Sequence, residues 1–306
     1  MKRVLVTGAT GFIGSACLPR LAARGYEVHA ISSRPHASSG DIRWHQCNLL
    51  DHGGAAKVVA AVQPSHLLHL AWIATPGVFW NSSLNLDWLA SGVTLVEAFF
   101  REGGTRALGA GTCAEYAWVN GPYSEDTTPL EPATIYGRCK RALGLGFEAG
   151  ALAYGGSAAW ARLFFPYGPG EADARVIPSV IRALLQGKPI ECTDGKQYRD
   201  FIFVDDVAEA LVLLLDSSAT GPFNVGSAQG TTVREAISII VSQLGHGELV
   251  RLGSRQPPEG DPASVVSDNA KLRQATGWQT RTDLRSGIAR TIDYWRNRGT
   301  STRINE

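Results

Sequence analysis

The chain has 306 residues, 44% of them hydrophobic and 19% charged, an ordinary balance for a soluble globular protein and one that argues against disorder. A formal net charge of +1 leaves no broad footprint for nucleic acid or an anionic membrane, so any anionic ligand must be held by local groups. Five scattered cysteines, Cys17, Cys47, Cys113, Cys139 and Cys192, form no Cys-x-x-Cys; this fits a reducing, cytoplasmic compartment and argues against a zinc site or a disulfide framework.

The first predicted element is a strand over Arg3 to Val6. Met1-Lys2-Arg3 followed by apolar positions imitates a secretory signal, but Thr7-Gly8 and Gly11 interrupt the run, and cleavage would delete the turn that follows. In Thr7-Gly8-Ala9-Thr10-Gly11-Phe12-Ile13-Gly14 three glycines three residues apart fall between that strand and a helix beginning near Phe12. Such a turn uses glycine where φ is positive and where a side chain would block a pyrophosphate, while the helix offers unpaired N–H groups and the positive end of its dipole. Gly8, Thr10, Gly11, Phe12, Ile13 and Gly14 are therefore predicted to cradle a dinucleotide.

Further strands are predicted over Glu27 to Ile31, Ile42 to Cys47, His66 to Leu70, Arg106 to Gly109 and Ser157 to Phe164, with helices beginning near Gly53, Leu84 and Thr134. This alternation predicts βαβ units closing a doubly wound parallel α/β sheet of Rossmann type, whose ligand crevice lies at the carboxyl ends of the strands. After Tyr167-Gly168-Pro169-Gly170 the rhythm changes to helices broken by short strands and Pro/Gly turns. The expected organisation is a dinucleotide-binding domain over 1–168, completed by parts of 196–226, and a smaller α/β substrate lobe over 169–306. No run of about 18 apolar residues marks a membrane span, and polar Thr300 to Glu306 reads as a frayed tail.

The G-x-x-G-x-x-G spacing, His69-Leu70-Ala71, Gly111-Thr112, Tyr136-Gly137-Arg138-Cys139-Lys140, Tyr167-Gly168-Pro169, Arg199-Asp200-Phe201 to Val204-Asp205-Asp206, and Thr276-Gly277-Trp278 together resemble the extended short-chain dehydrogenase/reductase family of NAD-dependent epimerases and dehydratases. The resemblance spans nearly the whole chain and implies a homodimer joined through the helices that start near Leu84 and Thr134. It also implies that Asn48 and Leu49 meet the adenine edge and that Leu70 and Ala71 line the cofactor, although core packing of the last two looks identical in sequence.

In a Rossmann unit an acidic residue ending the second strand accepts the ribose 2′-hydroxyl, whereas a 2′-phosphate is repelled by it and attracted by arginine. Here the strand ends Ile31-Ser32-Ser33-Arg34 with no carboxylate. Ser32, Ser33 and Arg34 point to NADP(H); the alternative is a solvated loop arginine with NAD(H) bound.

Tyr136 and Lys140 are four residues apart and share a helix face. A free phenol near pKa 10 is poorly suited to proton transfer at neutral pH, and an adjacent ammonium is expected to lower it. By resemblance Lys140 also bonds the nicotinamide ribose, Tyr136 lines the same cofactor, and the Thr112 hydroxyl bonds the substrate carbonyl oxygen; a turn-satisfying hydroxyl is the alternative for Thr112. The Asp-Glu pair that 4,6-dehydratases carry after this Thr is replaced by Cys113 and Ala114, leaving only Glu115 as a possible carboxylate, and the cysteine of 3,5-epimerases is replaced by Ala114. No metal ligands are spaced sensibly around His66 and His69.

On the substrate side the resemblance assigns Arg199 to a sugar-nucleotide diphosphate, the alternative being a salt bridge to Asp200 or Asp206. The second arginine expected before Gly260-Asp261 is absent, its place holding Pro258. Trp72 and Trp80 follow the fourth strand and either stack on a sugar face or anchor their loop. With Cys113 in Gly111-Thr112-Cys113-Ala114-Glu115-Tyr116, they resemble nucleotide-sugar 4-ketoreductases. The expected activity is thus NADPH-dependent reduction of a nucleotide-diphosphate 4-keto-6-deoxysugar, with Tyr136 as proton donor. The alternatives are an NAD-dependent nucleotide-sugar 4-epimerase and a non-catalytic dinucleotide-binding sensor.

Overall fold

The computed structural model describes residues 2–38, 40–51, 53–119 and 121–301. Val4, Leu5 and Val6 are wholly buried, on both faces of strand β1 (Arg3–Thr7), because β1 runs through the middle of a sheet covered by helices on each side. The other strands are β2 (Glu27–Ser32), β3 (Ile42–Gln46), β4 (His66–His69), β5 (Arg106–Thr112), β6 (Ser157–Leu163) and β7 (Gly221–Val225). Their order is β7-β6-β5-β4-β1-β2-β3, every pairing parallel. β1 pairs with β2 on one side (Leu5 opposite His29) and with β4 on the other (Val6 opposite Leu68), so the winding reverses between β1 and β4. A crevice opens there, beyond the carboxyl ends of the strands.

Helices α1 (Phe12–Ala23) and α6 (Val204–Asp216) cover one face, where Cys17, Leu18 and Leu21 meet Val207, Ala208 and Leu211. Helices α2 (Gly54–Val62), α3 (Leu84–Arg101) and α4 (Ile135–Tyr154) cover the other with Val59, Phe99 and Phe147. The six strands and four helix starts read from the sequence are all present, and a downstream segment supplies β7.

The remaining chain builds a second core from α5 (Val176–Leu185), α7 (Val233–Leu244) and α9 (Leu284–Ser301), around Ile181, Ile237, Ile292 and Trp295. Helix α8 (Ala270–Thr276) follows a small sheet in which Tyr198–Arg199, Thr231–Thr232, Ser264–Ser267 and Pro122–Tyr123 are strands. Of the polar tail expected from Thr300, helix α9 includes the backbone to Ser301, and residues 302–306 lie outside the described ones. Among the described residues, no helix is long and apolar enough to cross a membrane and no cluster of ligands could hold a metal ion.

Candidate active site

The glycine turn is built around two contacts that exclude any side chain. Gly8 has φ +67°, and a Cβ there would lie 2.7 Å from the Ala71 nitrogen; at Gly14 it would lie 2.1 Å from the Gly8 carbonyl oxygen. The Gly11 amide donates to that same carbonyl at 2.9 Å, which curls the chain directly into α1. With no side chain capping Gly11, the first N–H groups of α1, on Phe12 and Ile13, are left for a ligand. This cradle fits a dinucleotide pyrophosphate. Thr10 is exposed at its rim.

Thr7 closes the floor beside it. Its hydroxyl accepts from the Leu70 and Ala71 amides, both at 3.2 Å, and bonds His69 Nδ1 at 2.8 Å, so Leu70 and Ala71 are fixed against Gly8. Burial pulls His69 down to about 3, so the ring is neutral. At the end of β2, Ser32 is buried and its hydroxyl accepts from the Arg34 amide at 3.1 Å, while Ser33 and Arg34 are exposed. Asn48 is exposed and donates to Asp51 at 2.9 Å; Leu49 is buried against α2 and α3.

Thr112, Tyr136 and Lys140 converge at the end of β5. Thr134 caps α4, its hydroxyl accepting from the Gly137 amide at 3.1 Å, and the helix then directs Tyr136 and Lys140 to one face. The Thr112 hydroxyl bonds the Tyr136 phenol, which burial pushes above its ordinary value, the Thr112 bond opposing. The Lys140 ammonium, buried and pulled down to about 7 by that burial, donates to the Ala110 carbonyl at 2.9 Å and lies 4.1 Å above the Trp72 ring.

Glu115 is a structural group. Its Oε1 accepts from the Thr112 amide and the Trp160 indole, both at 2.9 Å, and its Oε2 accepts from Arg162 at 2.9 Å. It is therefore withdrawn from the crevice, which removes the one carboxylate that the sequence offered for dehydration. Cys113 packs with Tyr116, Tyr123, Phe164 and Val265, and burial pushes its thiol up to about 12, so it presents no reactive group to a substrate.

One face of Trp72 lies under the Lys140 ammonium, and Trp88 lies 6.3 Å away. Trp80 is 36% exposed and meets the Tyr136 ring edge to face at 5.8 Å; Phe79 does the same at 4.8 Å. Arg199 is buried and bonded to Asp261 at 2.6 Å and to the Tyr198 and Pro262 carbonyls, not to Asp200 or Asp206. Asp200 accepts from Ser227 and Ser267, and Asp206 from the amides of Arg281 and Thr282.

Sequence reasoning missed three residues here. Arg175, at the start of α5, lies within electrostatic reach of Tyr136 and Cys113. Glu171 is buried beside it at 3.5 Å and raised to about 7 by that burial. Asn85 holds the aromatic loop from below. None has a periodic or motif signal in the chain.

The chain thus sets a glycine cradle at the winding reversal with a Tyr-Lys-Thr cluster beside it. The sequence profile of the NAD dependent epimerase/dehydratase family matches residues 4–226. The chain belongs to this family. Its members are oxidoreductase-type enzymes, and several epimerase/dehydratase relatives are similar over full length. UDP-glucose 4-epimerase of Corynebacterium glutamicum is 27% identical over 324 residues, covering 96% of this chain and 94% of that protein. MoeE5, solved in complex with UDP-glucuronic acid and NAD, is 31% identical with a TM-score of 0.86 over 97% of this chain and 99% of its own. UDP-glucose 4-epimerase of Thermus thermophilus, in complex with NAD, is 29% identical with a TM-score of 0.86, over 96% and 99%. The epimerase/dehydratase fold is thus common ground between this chain and its relatives, and both of these solved relatives hold NAD.

Proposed function

We propose that this family member is an NAD-linked nucleotide-sugar 4-epimerase. The observation that carries the reading is the cluster of Thr112, Tyr136 and Lys140 at the end of β5 with Glu115 locked away from it. Such a site can pass one proton and polarise one carbon–oxygen bond, but it has no free carboxylate pair to eliminate water or to move a second proton. When bound, an oxidised dinucleotide would supply the acceptor for a hydride from the sugar carbon and the means of returning it. Tyr136 carries the sugar hydroxyl proton, Thr112 orients that oxygen, and Lys140 provides the positive charge beside them. Arg175, whose side chain is 37% exposed, is the cation suited to a sugar-nucleotide diphosphate, Arg199 being engaged by Asp261. The relatives that are UDP-glucose 4-epimerases, together with MoeE5 in complex with UDP-glucuronic acid and NAD, support epimerisation over the reductase expected from the sequence.

A second reading is NADPH-dependent reduction of a 4-keto-6-deoxysugar, favoured by the exposed Ser33 and Arg34 and the missing carboxylate after β2. One assay separates the two. Epimerisation of UDP-glucose or UDP-glucuronic acid without added reductant, and release of NAD on denaturation, support the first; oxidation of NADPH by a 4-keto-6-deoxyhexose nucleotide supports the second.

A homodimer fits the outward faces of α3 and α4, where Leu86 is 59%, Leu145 60% and Leu152 85% exposed. A cytoplasmic location fits five free thiols.

A further inference from the structure

Trp72 stands where the chain leaves β4, and its surroundings are unusually constrained for a loop residue. The indole N–H donates to Asn85 Oδ1 at 2.8 Å. Asn85 is fully buried at the start of α3, and its amide donates to the carbonyls of Phe79 at 2.7 Å and Ser82 at 2.8 Å. One side chain therefore sets both the plane of the indole and the path of the aromatic loop. The face so fixed lies under the Lys140 ammonium, 4.1 Å from the ring centroid.

An ammonium carries three donors and no acceptor. In Lys140 one of them goes to the Ala110 carbonyl, and the residue is only 3% exposed. A cation stripped of water gains most from an aromatic face, and tryptophan presents the strongest one.

We propose that Trp72 is a positioning residue for Lys140: its ring, oriented by Asn85, keeps the buried ammonium protonated and held at the end of β5. This rests on the Tyr-Lys reading of the reaction. The other groups facing the ammonium are Glu115, which attracts it and is itself tied to Arg162, and His69, held neutral; Tyr136 lies one turn earlier on α4. Burial, opposed by the Glu115 carboxylate, depresses Lys140 to about 7, so a modest further loss of stabilisation would leave it neutral across the physiological range.

The test measures the protonation of Lys140 directly. Lysine side chains labelled with ¹³C and ¹⁵N are titrated by NMR in the intact protein, Lys140 being assigned by its loss in Lys140→Met. Trp72→Leu is expected to lower the Lys140 midpoint by about one pH unit, and Trp72→Phe by less. Because activity needs the charged form, the alkaline limb of kcat moves to lower pH by the same amount, while KM for the sugar changes little. An unchanged midpoint in folded Trp72→Leu overturns the proposal; should that variant fail to fold, an unchanged midpoint in Trp72→Phe does so. A shifted midpoint in a protein that turns over no nucleotide sugar upholds the positioning role and removes the proposed function instead.

Discussion

Glu115 and Arg162 face one another at 2.9 Å beneath the site, their side chains 1% and 5% exposed. The pair is extended by the Tyr116 hydroxyl, which accepts from Arg162 at 2.9 Å and donates to Asn224 at 2.8 Å. A buried pair of this kind does not add much stability over an apolar replacement, but breaking it strands one charge. Glu115→Ala should therefore destabilise the protein by about 3–5 kcal/mol, read as a fall in the urea midpoint. A variant as stable as the parent would show that the carboxylate is free for other work.

Tyr136→Phe removes the phenol proton and leaves the ring in its edge contacts with Phe79 and Trp80. The expected loss in kcat is about 10²–10⁴-fold, with dinucleotide affinity and thermal stability near those of the parent. Turnover close to the parent rate would reassign the proton carrier.

Gly14→Ala places a methyl group 2.1 Å from the Gly8 carbonyl oxygen. Backbone cannot yield there as a flexible side chain would, so the turn must open. Dinucleotide affinity, measured by calorimetry, should drop by at least about 100-fold, and an unaltered affinity would place the cofactor elsewhere.

Replacing Arg34 with alanine discriminates between the cofactors. Its exposed guanidinium follows directly on the end of β2, so Arg34→Ala should weaken binding of NADP(H) by about tenfold and leave NAD(H) unaffected. Equal effects on both would show that Arg34 does not meet a 2′-phosphate.

His69 gives a pH signature. Its native value of about 3 lies below the unfolded value near 6.5, so the unfolded chain binds the extra proton first. The stability is fully present above about pH 6.5 and declines as pH falls towards 3, by roughly 1 kcal/mol per unit. Glu171, raised to about 7, acts with the opposite sign between its unfolded value and neutrality. The difference in unfolding free energy between parent and His69→Gln isolates the histidine: it should narrow as the medium is acidified, and a difference independent of pH would refute a buried neutral ring.

Inner strands such as β1 are legible in the sequence as short apolar runs ended by glycine or a polar turn, since a parallel strand buried on both faces needs no alternation. Tyr136 and Lys140 are legible because helical geometry brings residues four apart to one face. The orientation of the ammonium is not legible. Trp72 lies 68 positions before Lys140, and only the packing of α3 against α4 and the anchoring of the loop by Asn85 bring ring and amine together. The sequence offers Arg199 as a ligand group or a partner of Asp200 or Asp206, yet its partner is Asp261, brought to it by pairing of Tyr198–Arg199 with Ser264 and Val265.

By itself the chain determined the order of its elements, the glycine cradle and the helical spacing of the reacting pair, since each depends on interactions within a few residues. Tertiary structure alone decided which charged groups face the crevice. Strand register sets Arg162 opposite Gly111, and that glycine has no side chain because a Cβ there would lie 2.5 Å from Glu115 Oε1 and 2.3 Å from the Trp160 indole nitrogen. The space left between β5 and β6 receives the carboxylate and keeps it from the substrate, a result of contacts between residues 47 positions apart that no local pattern encodes.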